Sequence, residues 1–198
     1  AFTIEDVPAP PAVGAVRARL VGAAAYADLR GAITCELMSQ NTMRTILAKL
    51  GPDPLRADAD PDKAFQRIHK SKKSIGALLM DQGVLAGVGN VYRAESLFRA
   101  RLNPLTPGVK VTRRRWDAIW ADLVDLMEYG VQTGRIDTVR PEHEPEAMGR
   151  DARVDDHGGE VYVYRRHDQP CFVCGSIVRT KILEGRNLFW CPTCQRRR

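Results

Sequence analysis

Four of the five cysteines fall into two Cys-x-x-Cys pairs, Cys171/Cys174 and Cys191/Cys194, with 16 residues between the pairs. Four thiolates suit tetrahedral zinc, and each pair delivers two ligands from one tight turn. Gly175 after the first pair and Pro192 inside the second fit such turns. Two disulfides or a redox Cys-x-x-Cys are the competing chemistries, and neither accounts for two pairs at this spacing. One structural zinc ion (Zn2+) is therefore expected on Cys171, Cys174, Cys191 and Cys194. A module this small has little core, so the metal should carry its folding free energy. His157 and His167 are candidates for a mixed site, but with four thiols at hand they are expected at the surface. Cys35 stands alone and is expected to be a core thiol.

A second feature is Gly83-Val84-Leu85-Ala86-Gly87-Val88-Gly89-Asn90, too rich in glycine to continue a helix. Gly87 and Gly89 let the backbone approach another surface with no Cβ in the way. The turn opens a helix, whose free N–H groups and positive dipole end favour a phosphate. Asn90 at that start adds an amide donor; a plain helix start without ligand is the alternative. Arg186 lies beyond the cysteine pairs at the expected tip of a hairpin, where a long planar cation reaches a phosphate. A solvated turn arginine is the alternative there.

The bulk numbers agree with a polyanionic partner. Thirty Lys and Arg against 24 Asp and Glu give a net charge of +6, and a basic chain favours nucleic acid. Arg113–Arg115, the run His69-Lys70-Ser71-Lys72-Lys73, and Arg196–Arg198 concentrate that charge, although each run alone reads as a solvated face. No run of 18 apolar residues is present, so no membrane helix is expected. The opening AFTIEDVPAPPAVG lacks a charged segment followed by an apolar one, so a cytoplasmic protein is expected; with a nucleic-acid partner it is read as nucleoid-associated, and as a monomer.

The elements that must position these groups are legible in the periodicity. Residues 1–36 read as the tail of a β-rich unit, with strands over 15–21 and 25–30 and Gly22 near the turn. Two strands alone are marginal in water, so this segment looks like an incomplete domain. From 37 to 139 the pattern is helical. Met43, Ile46, Leu47 and Leu50 form a stripe between a Ser39 cap and a Gly51 stop. A second helix starts at Pro61 after Asp60, and a third runs over 74–82. A fourth covers 91–101, burying Val91, Ala94, Leu97 and Phe98. A fifth extends from Thr112 to Gly134 on Trp116, Ile119, Trp120, Leu123, Leu126 and Met127. Residues 140–160 read as loop or linker. The last stretch, 161–198, begins with a strand over 161–164 and continues into a hairpin over 176–190 that turns at Glu184-Gly185.

A helix, a glycine-rich double turn, another helix and a terminal cysteine hairpin, in this order, resemble the formamidopyrimidine-DNA glycosylase and endonuclease VIII family. The match runs through LMDQGVLAGVGNVYRAESLF (79–98) and GRNLFWCPTCQ (185–195). The first is similar to that family's helix–two-turns–helix element and the second to its zinc-finger tip. The resemblance implies an α+β fold: the remnant of an N-terminal β-sandwich, a helix–two-turns–helix domain, and a four-cysteine zinc hairpin. It implies that Asn90, Arg186 and the turn glycines Gly87 and Gly89 bind DNA, gripping the phosphates that flank a lesion while the damaged nucleotide is flipped out. Glu95 matches an acidic position of the motif and is read as fixing the helix. The partner implied is double-stranded DNA containing damaged bases or abasic sites. The formamidopyrimidine branch carries lysine where Gly83 stands, which tilts the chain toward the endonuclease VIII branch.

Members of that family start with proline then glutamate. The proline amine attacks the sugar C1′, a Schiff base forms, and base release and β,δ-elimination follow. A lysine of the N-terminal domain assists. This chain opens Ala1-Phe2-Thr3, and Pro8, Pro10 and Pro11 are internal amides, so none of the three catalytic residues is assigned. The expectation is a truncated glycosylase/AP lyase of base-excision repair, inactive as it stands. A non-catalytic damaged-DNA binder and a zinc-ribbon interaction protein are the competing readings. The last makes the double-turn motif a coincidence.

Overall fold

A strand that buries polar side chains organises the first part of the chain. A computed structural model describes residues 2–32, 34–154 and 158–196; Ala1, His157, Arg197 and Arg198 lie outside them. The chain divides into two compact units, Ala1–Ala48 and Lys49–Arg198. In the first, β1 (Phe2–Asp6), β2 (Val16–Val21) and β3 (Ala25–Arg30) form an antiparallel sheet in the order β1-β3-β2. On the central strand Tyr26 and Asp28 are two residues apart, so they share a face, and both are buried. Each has a polar partner directly across the sheet, as a buried polar group requires. The Tyr26 hydroxyl donates to Glu5 Oε2 (2.5 Å) on β1, and Arg19 on β2 donates to both Asp28 oxygens (2.7 and 2.9 Å). Strand β1 is a third strand that the two-strand expectation lacked.

Helix α1 (Gln40–Leu47) starts as its sequence requires, with the Ser39 hydroxyl accepting from Thr42 N (3.2 Å). It ends at Ala48, however, before reaching Gly51, and none of its residues is buried. Met43, Ile46, Leu47 and Leu50 are exposed, so the amphipathic pattern is present without the core it was expected to face. Cys35 is likewise exposed and is not a core thiol.

In the second unit, α2 (Pro61–His69) is capped by Asp60 and opens with Pro61, while α5 (Arg113–Thr133) runs from a Thr112 cap to a left-handed Gly134. Between them lie α3 (Ile75–Leu78), half the length expected, and α4 (Asn90–Arg99). One core joins α2, α3, α4 and α5 through Ile68, Ile75, Leu79, Leu85, Leu97, Trp116, Ile119 and Leu123. Trp116 donates its indole N–H to the Pro61 carbonyl (3.0 Å), which satisfies its polar end. Residues 140–154 include a 3-10 turn (Pro141–His143) and one α-helical turn, α6 (Pro145–Met148). The segment is tied down where the Tyr162 hydroxyl accepts from Arg140 N (2.9 Å) and meets His143 Nδ1 (3.0 Å).

The second core lies under the other side of α4. Val91, Ala94 and Phe98 pack there with Val161–Tyr164, Val178 and Phe189. Residues 161–164 are not a strand, in correction of the periodic reading. The N–H groups of Tyr162, Val163 and Tyr164 bond to a carboxylate rather than to a neighbouring strand. Strands β4 (Arg179–Leu183) and β5 (Arg186–Trp190) form the expected hairpin, turning at Glu184-Gly185 with both residues at positive φ. No helix among the described residues is long and apolar enough to cross a membrane.

Candidate nucleic-acid interface and metal centre

The glycine turn is built from inside the chain. Gln82 folds back over it, donating from Nε2 to the Val88 carbonyl (3.1 Å) and accepting from Gly87 N at Oε1 (3.0 Å). Gly87 has φ +80°, and a Cβ there would lie 3.2 Å from both Asp53 Oδ1 and Met127 Cε. Only glycine fits without strain. Gly89 differs: its φ of −103° suits any residue, and a Cβ would meet nothing within 4 Å. The space above it is open. Because Gly89 is the N-cap of α4, no side chain occupies the helix end.

Asn90, the first residue of α4, points across to the hairpin. Its Nδ2 donates to the Asn187 carbonyl (3.0 Å), and its Oδ1 accepts from Arg93. Arg93 Nη2 also donates to the Asn187 carbonyl (3.0 Å). Arg186 is the neighbour of Asn187 and is exposed. The residues expected to act together are thus joined: Gly87, Gly89 and Arg186 line one open groove of about 550 Å³, with Lys73, Gln82, Asp81 and Glu184. Asn90 stands at the seam beside it. Of the basic runs, the 69–73 stretch contributes Lys73, whereas Arg113 pairs with Asp62 and Asp117 (2.7 and 2.6 Å) away from the groove.

Glu95 is fully buried on α4. Oε2 accepts from Tyr162 N and the Thr138 hydroxyl (2.7 Å each), and Oε1 accepts from Val163 N and Tyr164 N (2.9 and 2.8 Å). It fixes more than its helix, because it replaces a sheet partner for the chain entering the cysteine module. Arg93 was passed over in the sequence. Its only signal is a spacing of three from Asn90, one helical turn on the same face.

The Sγ atoms of Cys171, Cys174, Cys191 and Cys194 lie within 4.8 Å of one another. Cys171 and Cys194 are 3.9 Å apart, Cys174 and Cys191 3.5 Å. Ligand bonds of about 2.3 Å in a tetrahedron require sulfurs about 3.8 Å apart, so the four fit zinc. Burial pushes the Cys171 thiol up to about 11; a cation is what makes such a group a thiolate at neutral pH. His167 is exposed, its ring 5.9 Å from Phe189, and it is outside the sulfur cluster. The module is anchored through Gln195, which accepts from Cys191 N (2.9 Å) and donates to the Leu102 carbonyl (3.0 Å) just past α4.

A helix pair with a glycine double turn, followed by a four-cysteine hairpin packed on its second helix, defines a helix–two-turns–helix protein with a zinc finger. Residues 50–141 match the formamidopyrimidine-DNA glycosylase H2TH domain, and residues 168–197 the zinc finger found in FPG and IleRS. Endonuclease 8 1 of Mycobacterium tuberculosis is 52% identical over 186 residues, covering 94% of this chain and 68% of that protein. The formamidopyrimidine-DNA glycosylase of Parasynechococcus marenigrum is 36% identical over 75% of this chain and 51% of its own length. In fold, the chain is similar to Lactococcus lactis Fpg in complex with an abasic site containing DNA, with a TM-score of 0.73 at 20% identity over 99% of this chain and 71% of that one. The chain belongs to the formamidopyrimidine-DNA glycosylase and endonuclease VIII family, and the higher identity puts it on the endonuclease VIII side. Both motifs match in order, which removes the coincidence a zinc-ribbon interaction protein would need.

Proposed function

We propose that this chain grips double-stranded DNA at damaged bases or abasic sites, as part of a base-excision repair glycosylase and AP lyase that removes oxidised bases. The observation that carries the reading is the groove where Arg186 and the glycine turn face each other, with Asn90 hydrogen-bonded across the seam to the hairpin tip. The relatives carry glycosylase and endonuclease names, and the Lactococcus lactis protein is bound to abasic-site DNA.

What these residues supply is grip. The uncapped start of α4 presents backbone donors and a positive dipole end, and Arg186 and Lys73 add charge. Such contacts hold a phosphate chain without reading its bases. They steady a strand whose damaged nucleotide leaves the stack. One zinc ion, on Cys171, Cys174, Cys191 and Cys194, would supply the cross-link that holds the hairpin in a module with little core. The chain works as a monomer in this reading. Base release and strand cleavage belong to the whole family enzyme, through its terminal proline and glutamate.

Fluorescence anisotropy with a labelled duplex carrying a tetrahydrofuran abasic analogue tests the proposal. Binding should be tighter than to the undamaged duplex. It should weaken with salt by about 0.9 decade per decade for each phosphate neutralised. Equal affinity for both duplexes, or binding indifferent to salt, overturns it.

A further inference from the structure

The seam between α4 and the hairpin holds a charge that no acid among the described residues balances. Arg93 is 0% exposed. Its partners are the Asn90 Oδ1, the Asn187 carbonyl at 3.0 Å and the Gly76 carbonyl at 3.4 Å, all uncharged. Its Nε has no hydrogen-bond partner among the described residues. Burial, then the repulsion of Arg186, pushes this guanidinium down to about 10. Two other enclosed cations of the unit differ from it: Arg99 forks onto Asp122 (2.6 Å), and Arg166, which burial likewise pushes down to about 10, has Nε, Nη1 and Nη2 all hydrogen-bonded and lies over the Phe172 ring.

A buried charge left without a counter-ion opposes folding, and a protein ordinarily pairs it or replaces it with an apolar group. Arg93 is sealed from solvent and does not line the groove, so an anion bound there would act on it through space. Its repulsive neighbour is Arg186, the cation of the proposed phosphate groove, so an anion drawn to one relieves both. Its hydrogen bonds have a second consequence. By donating to Asn90 Oδ1, Arg93 fixes which end of that carboxamide is the acceptor, so Nδ2 must be the donor end. One Nδ2 hydrogen goes to Asn187 and one remains to be given. The same Nη2 holds the carbonyl of Asn187, the residue after Arg186, and so fixes the tip from which Arg186 projects.

We infer that Arg93 is a positioning residue for a bound phosphodiester, orienting Asn90 and the Arg186 tip from behind and adding its own uncompensated charge to the groove. This rests on the DNA-gripping reading above. A backbone anion is the chemistry it fits: singly charged and read without regard to base.

The test is the affinity of the full, zinc-loaded chain for the tetrahydrofuran duplex across a salt series, with Arg93→Met and Arg93→Lys beside the unaltered protein. Circular dichroism and zinc content serve as controls of folding. Arg93→Met keeps the volume and loses the charge. It should bind at least tenfold more weakly, with a salt dependence flatter by about 0.9. Arg93→Lys keeps the charge but not the fork. It should bind about three- to tenfold more weakly, with the original salt dependence, since a point charge cannot span both acceptors. A purely structural arginine would not separate the two slopes. A folded Arg93→Met that binds within twofold of the unaltered chain, with its slope unchanged, overturns the inference. If Arg93→Met does not fold, Arg93→Lys decides: unaltered affinity overturns the positioning role, and the stated loss at constant slope supports it. Failure of the unaltered chain to bind the duplex is a different result. It removes the DNA-gripping reading, and this inference with it.

Discussion

Replacing Glu95 should loosen the cysteine module without touching a cysteine. The carboxylate takes four hydrogen bonds in a fully buried site, three of them from the successive backbone N–H groups of Tyr162, Val163 and Tyr164. A glutamine keeps one oxygen and brings two N–H donors in place of the other. Its best fit puts the amide nitrogen at Oε2, where the Thr138 hydroxyl can turn to accept but Tyr162 N cannot. One buried N–H is then orphaned, at about 1–3 kcal/mol, and the bonds to Val163 and Tyr164 lose their charge assistance, so Glu95→Gln should cost roughly 2–4 kcal/mol. Alanine orphans all three N–H groups and leaves a hole. Relief from burying a charge offsets part of this, and Glu95→Ala should still cost about 4 kcal/mol or more.

Thermal unfolding of the zinc-loaded chain reads these costs. For 150–250 residues each kcal/mol moves the midpoint about 2–4 °C, so Glu95→Gln should melt about 4–16 °C lower. Hydrogen exchange gives the local check. The amides of Tyr162, Val163 and Tyr164 should be strongly protected in the unaltered chain and exchange first in Glu95→Ala. A glutamine variant melting within 2 °C of the original refutes the reasoning, as do three amides that keep their protection in the alanine variant.

Removing the metal with a chelator at neutral pH should dissolve the β4–β5 hairpin and leave the α5 helix signal. The metal contributes apparent folding free energy of order 10–16 kcal/mol in small zinc modules; circular dichroism with one-dimensional NMR of the Val178 and Phe189 resonances checks it. Arg186→Ala and Asn90→Ala should each weaken duplex binding by about 1–3 kcal/mol whatever the base sequence, as anisotropy on several duplexes would show. In the sheet of the first unit, hydrogen bonding from Arg19 holds the Asp28 carboxyl below its ordinary 3.8. The folded value is depressed, so this pairing stabilises the sheet fully above the unfolded value and is lost as pH falls through the folded one. An acid titration followed by NMR should therefore show Asp28→Asn less sensitive than the original below about pH 3.8.

Local signals were legible, and long-range substitutions were not. The Thr112 cap, the Gly134 stop and the Asp60-Pro61 start depend on a few neighbouring residues, and each stands where its chemistry put it. The cysteine spacing likewise carries its own geometry. Val161-Tyr162-Val163-Tyr164 misled, because a run suited to a strand says nothing of what accepts its N–H groups. Here the acceptor is a carboxylate 67 residues away from Tyr162. The α1 stripe misled the other way: helical period was correct, but period does not reveal whether anything covers the face. Strand β1 was open to a reading by alternation and was obscured by the prolines that follow it. Arg93 was out of reach, since an arginine within a helix normally reads as solvated until its neighbours are known.

The candidate site is one construction rather than two motifs side by side. Helix α4 touches the cysteine module at three heights. At its start Asn90 and Arg93 hold the Asn187 carbonyl, in its middle Glu95 holds residues 162–164, and just past its end Leu102 and Asn103 hold Gln195. A helix of ten residues rises about 15 Å, so three ties over that length remove the hinge a single contact would leave. Apolar packing of Val91, Ala94 and Phe98 fills the intervals. The distance between the open start of α4 and the Arg186 tip is therefore set inside the protein, before any ligand arrives. A preset spacing spares the ordering entropy that two independent elements would lose on binding. Under the proposed DNA-gripping function it would also select among strands, because two phosphates at an unkinked spacing and two at a kinked one cannot both match a gap that does not move.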